Sequence, residues 1–534
     1  MQHLSYEFQE PRFDLGGWQV SLRLVTFDNL YGLDPDRTTL RAAHDGWEAV
    51  AEGLTWAGGQ ERSPGWARLQ AKPTPDGLEL VVEARHPAKL RCAKLHLWDV
   101  PAGAVLGAGW EEQAVPPEGL LLAYPGWPGN LHTPLVFLRL DDGSYRYFRS
   151  LDDRVRAKRL AFTPTPGGLA VELIHEEAGP AMGNVLHGPP WRVGRTRTPE
   201  AIVREHRDHV ERAYGLRPWE DRPDVPDWAR QISLVVALHG MHWTGYAFNT
   251  YDDMLAALQW VTQRIEGRRV LAYLPGWEGR YYWQYGDYRP EPRLGGPQGF
   301  RRLVEGAHTL GVHLMPMFGA NCANAGLEGF DRWGAPSLLR SASGLVFQGN
   351  RPDWDTSRAH DPGWQAWLNP GAPAWQERLC QQIADVVDVY GLAEDAVFLD
   401  TQDTWENDPR HPVYEGLVAL RDTLKARFPG LLVAGEGWYD ALGAVTPICH
   451  YRDPVRWTWF FDRHCRAFSH LSTGDPSRGS TGVHERGTRP FALEPLARHR
   501  WPTLTVVDGT LERAPEAAEQ VIAQARAYAT RFLA

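Results

Sequence analysis

The stretch AVFLDTQDTWENDPRHPVYEGLVALRDTLKARFPGLLVAGE, residues 396–436, decides the fold. It begins with a short apolar run that ends in Asp400 and closes with a second apolar run that ends in Glu436. Between them, residues 412–427 have the pattern of a helix. Short, continuous apolar runs are typical of strands buried on both faces, and a connecting helix makes such strands parallel.

The same alternation extends in both directions from this unit. Helices are predicted near 297–310, 373–390 and 515–532, and further strands at SLVVALH (233–239), RRVLAYL (268–274), GVHLMPMF (311–318), PICHY (447–451) and TLTVVDG (503–509). Strands alternating with helices over roughly 300 residues fit a (β/α)8 TIM barrel, whose usual length is about 250. We therefore predict a barrel domain at 228–534. A doubly wound open sheet is the rival, but no GxGxxG or P-loop follows a predicted strand.

The N-terminal third follows a different pattern, with short period-two runs broken by turn residues. TPLVFLRL (133–140) and SYRYFRS (144–150) flank Asp142–Gly143, a strong hairpin signal. This predicts an antiparallel β-sandwich at 1–186. A linker at 187–227 is predicted to carry one helix, with Thr198 as its N-cap and Gly215 as its end.

Composition narrows the class of protein. The net charge of −10 argues against a nucleic-acid partner, which requires a basic surface. The five cysteines are odd in number and form no CxxC pair, and no spaced metal motif such as HExxH is present, so we predict no metal or other cofactor. No signal peptide or long apolar segment is evident, which predicts a cytoplasmic protein without a membrane partner. The oligomeric state stays open.

Six predicted strand ends carry polar or aromatic side chains, and barrel enzymes place their working residues at those ends. The residues predicted to contact substrate are His239, His242, Trp243, Trp277, Glu278, Tyr282, Trp283, Asp287, Asn321, Gln402, Asp403, Trp438, Tyr451, Arg452 and Asp453. The chain also has 24 tryptophans, many beside Gly, Pro, Asn or Asp in predicted loops. Flat aromatic faces in loops suit the apolar faces of sugar rings, although core packing is the alternative for any one of them.

Asp400 and Glu436 are the predicted catalytic pair. A carboxylate directly after an apolar strand is costly unless it faces a pocket or has a partner, and cleavage of a glycosidic bond needs two carboxyl groups. We predict Asp400 as nucleophile and Glu436 as general acid/base of a glycoside hydrolase acting on an oligosaccharide or glycoside. Three alternatives stay open: Asp453 as the second carboxylate in an α-galactosidase-like site, a structural ion pair at the rim, and a non-catalytic carbohydrate-binding barrel.

VFLDT (397–401) and VAGEGW (433–438) resemble the strand-four nucleophile and strand-five acid/base of α-amylase-like barrels. Residues 295–318 are similar to the passage from helix to strand three in those barrels. A β-sandwich ahead of such a barrel resembles the endo-α-N-acetylgalactosaminidases of glycoside hydrolase family 101. The resemblance implies a retaining mechanism in which Asp400 forms a glycosyl-enzyme.

Overall fold

The computed structural model describes residues 10–107, 112–242, 245–280, 282–347, 364–450, 463–468 and 495–533. Its N-terminal part consists of two antiparallel sheets. The strands are β1 (Phe13–Leu15), β2 (Trp18–Thr26), β3 (Leu30–Leu33), β4 (Thr38–Ala43), β5 (Gly46–Ala51), β6 (Leu54–Trp56), β7 (Glu61–Ser63), β8 (Trp66–Thr74), β9 (Gly77–Arg85), β10 (Leu90–Val100), β11 (Ala104–Gly107), β12 (Glu112–Gln113), β13 (Leu120–Tyr124), β14 (Leu135–Arg139), β15 (Tyr145–Ser150), β16 (Lys158–Thr165), β17 (Gly168–Glu176), β18 (Val185–His187) and β19 (Trp191–Thr196).

The two sheets face one another across a shared apolar core. One has the order β13-β16-β17-β10-β2-β3-β6-β7, and the other β12-β11-β14-β15-β19-β9-β8-β5-β4. Phe148 of the second sheet contacts Trp18 and Phe162 of the first, with ring centroids 6.4 and 5.9 Å apart. The predicted hairpin forms between β14 and β15, where Gly143 has a positive φ of 74°. The predicted antiparallel sheets are therefore present.

The predicted linker is shorter than expected at its start. Residues 191–196 form β19, which pairs with both β15 and β9 inside the second sheet. The Pro/Arg/Trp-rich composition of this segment hid a strand that tertiary pairing stabilises. The predicted helix follows at Pro199–Tyr214 and ends at Gly215, which adopts the left-handed conformation that favours glycine.

The second part is an eight-stranded parallel sheet that nearly closes into a barrel. Its strands are β20 (Leu234–Leu238), β21 (Val270–Leu274), β22 (His313–Gly319), β25 (Ala396–Asp400), β26 (Leu432–Glu436), β27 (Ile448–His450), β28 (Arg466–Phe468) and β29 (Thr503–Val506), and a separate hairpin consists of β23 (Cys322–Asn324) and β24 (Gln365–Trp367). The helices are Tyr251–Thr262, Gly296–Thr309, Phe330–Trp333, Pro373–Tyr390, Val413–Arg427, Thr510–Arg513 and Pro515–Phe532.

The order β28-β27-β26-β25-β22-β21-β20-β29 places the last strand beside the first. The remaining gap is bridged where the Ala467 amide donates to the His499 carbonyl at 2.7 Å and the Trp501 amide donates to the Ala467 carbonyl at 2.9 Å. The predicted parallel barrel is thus confirmed in its strand order. The strand β28 escaped sequence analysis because three residues, one of them a charged Arg466, carry no periodic signal.

None of the helices in the described part of the chain is long and apolar enough to cross a membrane.

Candidate active site

The carboxyl ends of β25 and β26 place Asp400 and Glu436 side by side. These strands are parallel neighbours, with Leu399 opposite Gly435 in the register. The two side chains hydrogen-bond to one another, and Asp400 is almost completely buried. Burial, followed by the charge and hydrogen bond of Glu436, raises the pKa of Asp400 well above its usual value. Two like charges in contact cannot both ionise cheaply, so the pair holds a proton.

Two further hydrogen bonds orient this pair. The Tyr285 hydroxyl donates to Asp400 Oδ2 at 2.5 Å, and this bond opposes the rise in the pKa of Asp400. The Thr401 backbone amide donates to Glu436 Oε2 at 3.1 Å. Thr401 has a positive φ of 61°, a strained conformation for a β-branched residue. Together the two donors favour a negative charge on the pair.

Glu278 adds a third carboxyl group to this region. It follows β21, is 2% exposed, and neither of its oxygens has a hydrogen-bond partner among the described residues. Burial raises its pKa to about 8, and its charge also contributes to the raised pKa of Asp400. The predicted site residue therefore interacts electrostatically with Asp400, and its own raised pKa keeps its proton on at neutral pH.

The two histidines after β20 lie buried beside one ring. His239 and His242 contact Phe248, with ring centroids 6.1 and 6.0 Å apart. Burial, followed by the charge of His242, lowers the pKa of His239 to about 3, so its ring is neutral. A neutral imidazole can donate or accept one hydrogen bond, as contact with a sugar hydroxyl requires.

The predicted tryptophan platforms differ in their placement. Trp283 is 38% exposed and contacts Trp364, with ring centroids 5.2 Å apart. Trp277 is fully buried against Phe300, and its indole N–H donates to a strand carbonyl. Trp438 is also buried. Trp277 therefore packs in the core, whereas Trp438 is about as buried as Asp400, and its stacking role stays a prediction.

Several predicted contacts hold loops together at the mouth of the barrel. The Asn321 side chain donates to the Thr404 carbonyl at 3.0 Å, and the Gln402 side chain donates to Thr446 at 2.9 Å. Both side chains are fully buried and support loops, and their contact with substrate stays a prediction. The carboxyl group of Asp403 packs against the backbone of Gly437. A Cβ built on Gly437 would lie 2.2 Å from the carboxyl carbon of Asp403.

Of the remaining predicted residues, two make contacts with other side chains and four lie outside the described residues. Asp287 is bound at 2.9 Å by Arg289, which makes it a partner in a surface ion pair. Tyr282 is half-buried, with its ring 5.4 Å from that of Tyr285. Trp243, Tyr451, Arg452 and Asp453 lie outside the described residues, so the alternative with Asp453 is untested. No group of metal-binding side chains occurs within the described ranges.

Sequence reasoning did not name the residues by which the first domain contacts this site. Tyr124 and Thr133 donate to the two carboxylate oxygens of Asp440, each at 2.7 Å. The His132 ring contacts the Trp438 carbonyl at 2.5 Å. Trp438 and Asp440 both lie in the loop that follows Glu436. The turn-rich YPGWPGN at 124–130 was the available signal, but a turn motif does not reveal what it touches.

Comparison with solved structures identifies the class of fold. Alpha-N-acetylgalactosaminidase NagBb from Bifidobacterium bifidum, solved with GalNAc, matches with a TM-score of 0.65 at 15% identity, over 95% of this chain and 88% of that one. The GH36 alpha-galactosidase AgaA from Geobacillus stearothermophilus, in complex with raffinose, matches with a TM-score of 0.52 at 11% identity, over 96% and 77%. The two-domain fold is therefore one that these glycosidases share.

Sequence comparison is more limited. The 1,4-alpha-glucan branching enzyme GlgB of Agrobacterium fabrum is 31% identical over 156 residues, which cover 26% of this chain and 20% of that protein. The chain thus matches about a fifth of the length of this curated relative. No family model matches the chain. The resemblance to glycoside hydrolase barrels expected from the sequence is confirmed as a likeness of fold.

Proposed function

We propose that this protein is a glycoside hydrolase that cleaves α-linked galactose-type sugars. The observation that carries the proposal is the buried, hydrogen-bonded pair of Asp400 and Glu436 at adjacent strand ends of the barrel. The solved structures that share the fold include an alpha-N-acetylgalactosaminidase and alpha-galactosidases, which supports this choice of sugar.

In the proposed mechanism Asp400 attacks the anomeric carbon and Glu436 protonates the leaving oxygen. The proton held by the pair supplies the acid, and the Tyr285 hydrogen bond stabilises the ionised nucleophile. Water deprotonated by Glu436 then releases the sugar from the glycosyl-enzyme. Inverting enzymes separate their carboxyl groups by about 6.5–9.5 Å to admit a water. Retaining enzymes hold them about 5–5.5 Å apart. The hydrogen bond between Asp400 and Glu436 is closer to this shorter separation, which favours retention.

Two isosteric variants separate the proposed roles. Asp400→Asn should abolish turnover of every substrate because it removes the nucleophile. Glu436→Gln should lower kcat by about 10²- to 10⁴-fold on an oligosaccharide. It should lower kcat/KM much less on an α-glycoside with a good leaving group, because departure then needs no protonation and kcat/KM does not include the later step in which Glu436 activates water.

Asp208→Asn, at an exposed position of the helix Pro199–Tyr214, serves as the control and should keep full activity. Kinetics on α-galactosides and α-N-acetylgalactosaminides, with NMR of the first anomer released, provide the readout. Full activity of both active-site variants would refute the assignment, and an inverted first product would refute retention.

A further inference from the structure

The segment 124–133 of the first domain reaches the loops that follow both proposed catalytic residues. The Trp127 amide donates to the Asp403 carbonyl at 2.9 Å, and the Trp405 amide donates to the Trp127 carbonyl at 2.9 Å. Asp403 and Trp405 lie three and five residues after Asp400. The backbone of Trp127 is therefore paired, like an added strand, with the loop that leaves β25.

These two segments lie so close together that the residue before Trp127 has to be glycine. A Cβ on Gly126 would lie 2.1 Å from the Asp403 carbonyl oxygen, and Gly126 has a positive φ of 60°. Since the same segment also holds the loop after Glu436 through Tyr124 and Thr133, the position of Trp127 is determined from two directions.

The side chain of Trp127 forms an aromatic cluster that is open to solvent. Trp127 is 39% exposed, and its ring lies 5.2 Å from that of Trp367 at an interplanar angle of 35°. Phe347 meets Trp127 edge-on, with centroids 5.5 Å apart. The indole N–H of Trp367 is buried and finds no acceptor among the described residues. A buried donor without an acceptor is costly, and a polar ligand would relieve that cost.

We propose that Trp127, supported by Trp367 and Phe347, is a stacking platform for a second sugar ring of the substrate, next to the ring whose glycosidic bond is cleaved. This inference rests on the proposed function and deepens it. An aromatic face binds the apolar C–H face of a pyranose, and the ring hydroxyls can accept hydrogen bonds. Trp127 has a position fixed by backbone pairing with the loop that follows Asp400, and it has an exposed face, which are properties such a platform needs.

We expect the platform to bind oligosaccharides and not single sugars. On this proposal a substrate with one ring reaches only the site at Asp400, whereas a longer substrate extends to Trp127. The first domain would thereby set the preferred substrate length, because it supplies the exposed ring of the cluster.

The variant Trp127→Ala tests the platform on two substrates. Stachyose carries sugar rings beyond the terminal galactose, whereas α-galactosyl fluoride has one ring and a leaving group too small to stack. We expect kcat/KM for stachyose to fall about tenfold, mainly through KM, with the fluoride changed less than about twofold. Trp127→Phe should restore most of the loss. Trp56→Ala is the matched control, since Trp56 is also 39% exposed but lies in the strand β6.

Equal losses on both substrates, or no loss on stachyose, would overturn the platform. A parallel calorimetric titration of stachyose and galactose into Asp400→Asn, with and without Trp127→Ala, keeps the two proposals distinguishable. If Trp127→Ala weakens the binding of stachyose but not of galactose in the Asp400→Asn background, the platform is supported even if no substrate is hydrolysed. If Trp127→Ala leaves the affinity for stachyose unchanged while the wild type hydrolyses stachyose, the platform is refuted and the proposed function is intact.

Discussion

Glu278 is buried with no hydrogen-bond partner among the described residues for either oxygen, and it acts electrostatically on Asp400. An ionised carboxylate in this position would be very costly, and the pKa of about 8 shows that the group avoids this by keeping its proton. At the scale of a single residue, one neutral acid thus accompanies a pair that shares a proton. The negative charge of the site is then carried by the pair of Asp400 and Glu436.

The stability of the protein should depend on pH through Glu278. Its pKa is 4.5 when unperturbed and about 8 in the folded chain, so the folded state binds more protons than the unfolded state between these values. Stability therefore falls as pH rises through this window. At pH 7 the penalty is on the order of 3 kcal/mol.

The variant Glu278→Gln removes this titration. Between pH 5 and pH 8, urea denaturation should show a smaller loss of stability in Glu278→Gln than in the wild type. Glu305→Gln, at an exposed position of the helix Gly296–Thr309, should follow the wild-type curve. Parallel curves for Glu278→Gln and wild type would show that Glu278 is already ionised in the folded protein.

At the scale of an element, the end of β22 determines where Tyr285 lies. Gly319 closes this strand, and a Cβ there would lie 2.2 Å from the Tyr285 ring. The φ of Gly319 is not in the left-handed region, so glycine is needed there only because a side chain would have no space. The missing side chain lets the ring pass over the strand end and donate to Asp400.

The variant Gly319→Ala should displace Tyr285 from Asp400. The overpacked ring costs about 1–3 kcal/mol of stability. Loss of the hydrogen bond raises the pKa of Asp400 further, because that bond lowers it, so the acidic limb of the pH–rate profile should move to higher pH. The control is Gly107→Ala at the end of β11, where nothing lies within 4 Å of the added methyl. An unmoved acidic limb would contradict the role given to Tyr285.

At the scale of the whole molecule, the first domain is joined to the barrel around the proposed site. Asp440 is buried at this junction, and burial raises its pKa to about 6, against the hydrogen bonds from Tyr124 and Thr133 that lower it. Hydrogen bonds of this kind are costly to break because they leave buried groups unpaired. The two domains should therefore support one another's stability.

The variant Gly126→Ala tests this junction. Gly126 and Gly58 both have a left-handed φ, of 60° and 69°, so an alanine at either position costs about 1–2 kcal/mol of backbone strain. Only at Gly126 would the new Cβ also collide with the barrel loop, whereas nothing lies within 4 Å at Gly58. We expect Gly126→Ala to lower Tm further than Gly58→Ala and to reduce activity. Equal shifts in Tm with full activity would show that the junction does not hold the site.

Much of the fold was predictable from the sequence, and so was the pairing of Asp400 with Glu436. The apolar runs before Asp400 and Glu436 have the length and composition of buried parallel strands, and the structure forms them at Ala396–Asp400 and Leu432–Glu436. The helices and glycine stops around them follow local rules of capping and periodicity. Strand order then placed the two carboxyl groups next to each other, as adjacent strands of a barrel require.

Local sequence by itself determined where strands and helices form and which acids follow strands, because those properties depend on neighbours a few residues away. Only the tertiary structure decided that Tyr285 donates to Asp400, that Trp277 is a core residue and that Trp127 pairs with the loop after Asp400. Trp127 and Asp403 are 276 positions apart in the chain and meet because two domains pack together. No pattern within one segment records a contact made across such a distance.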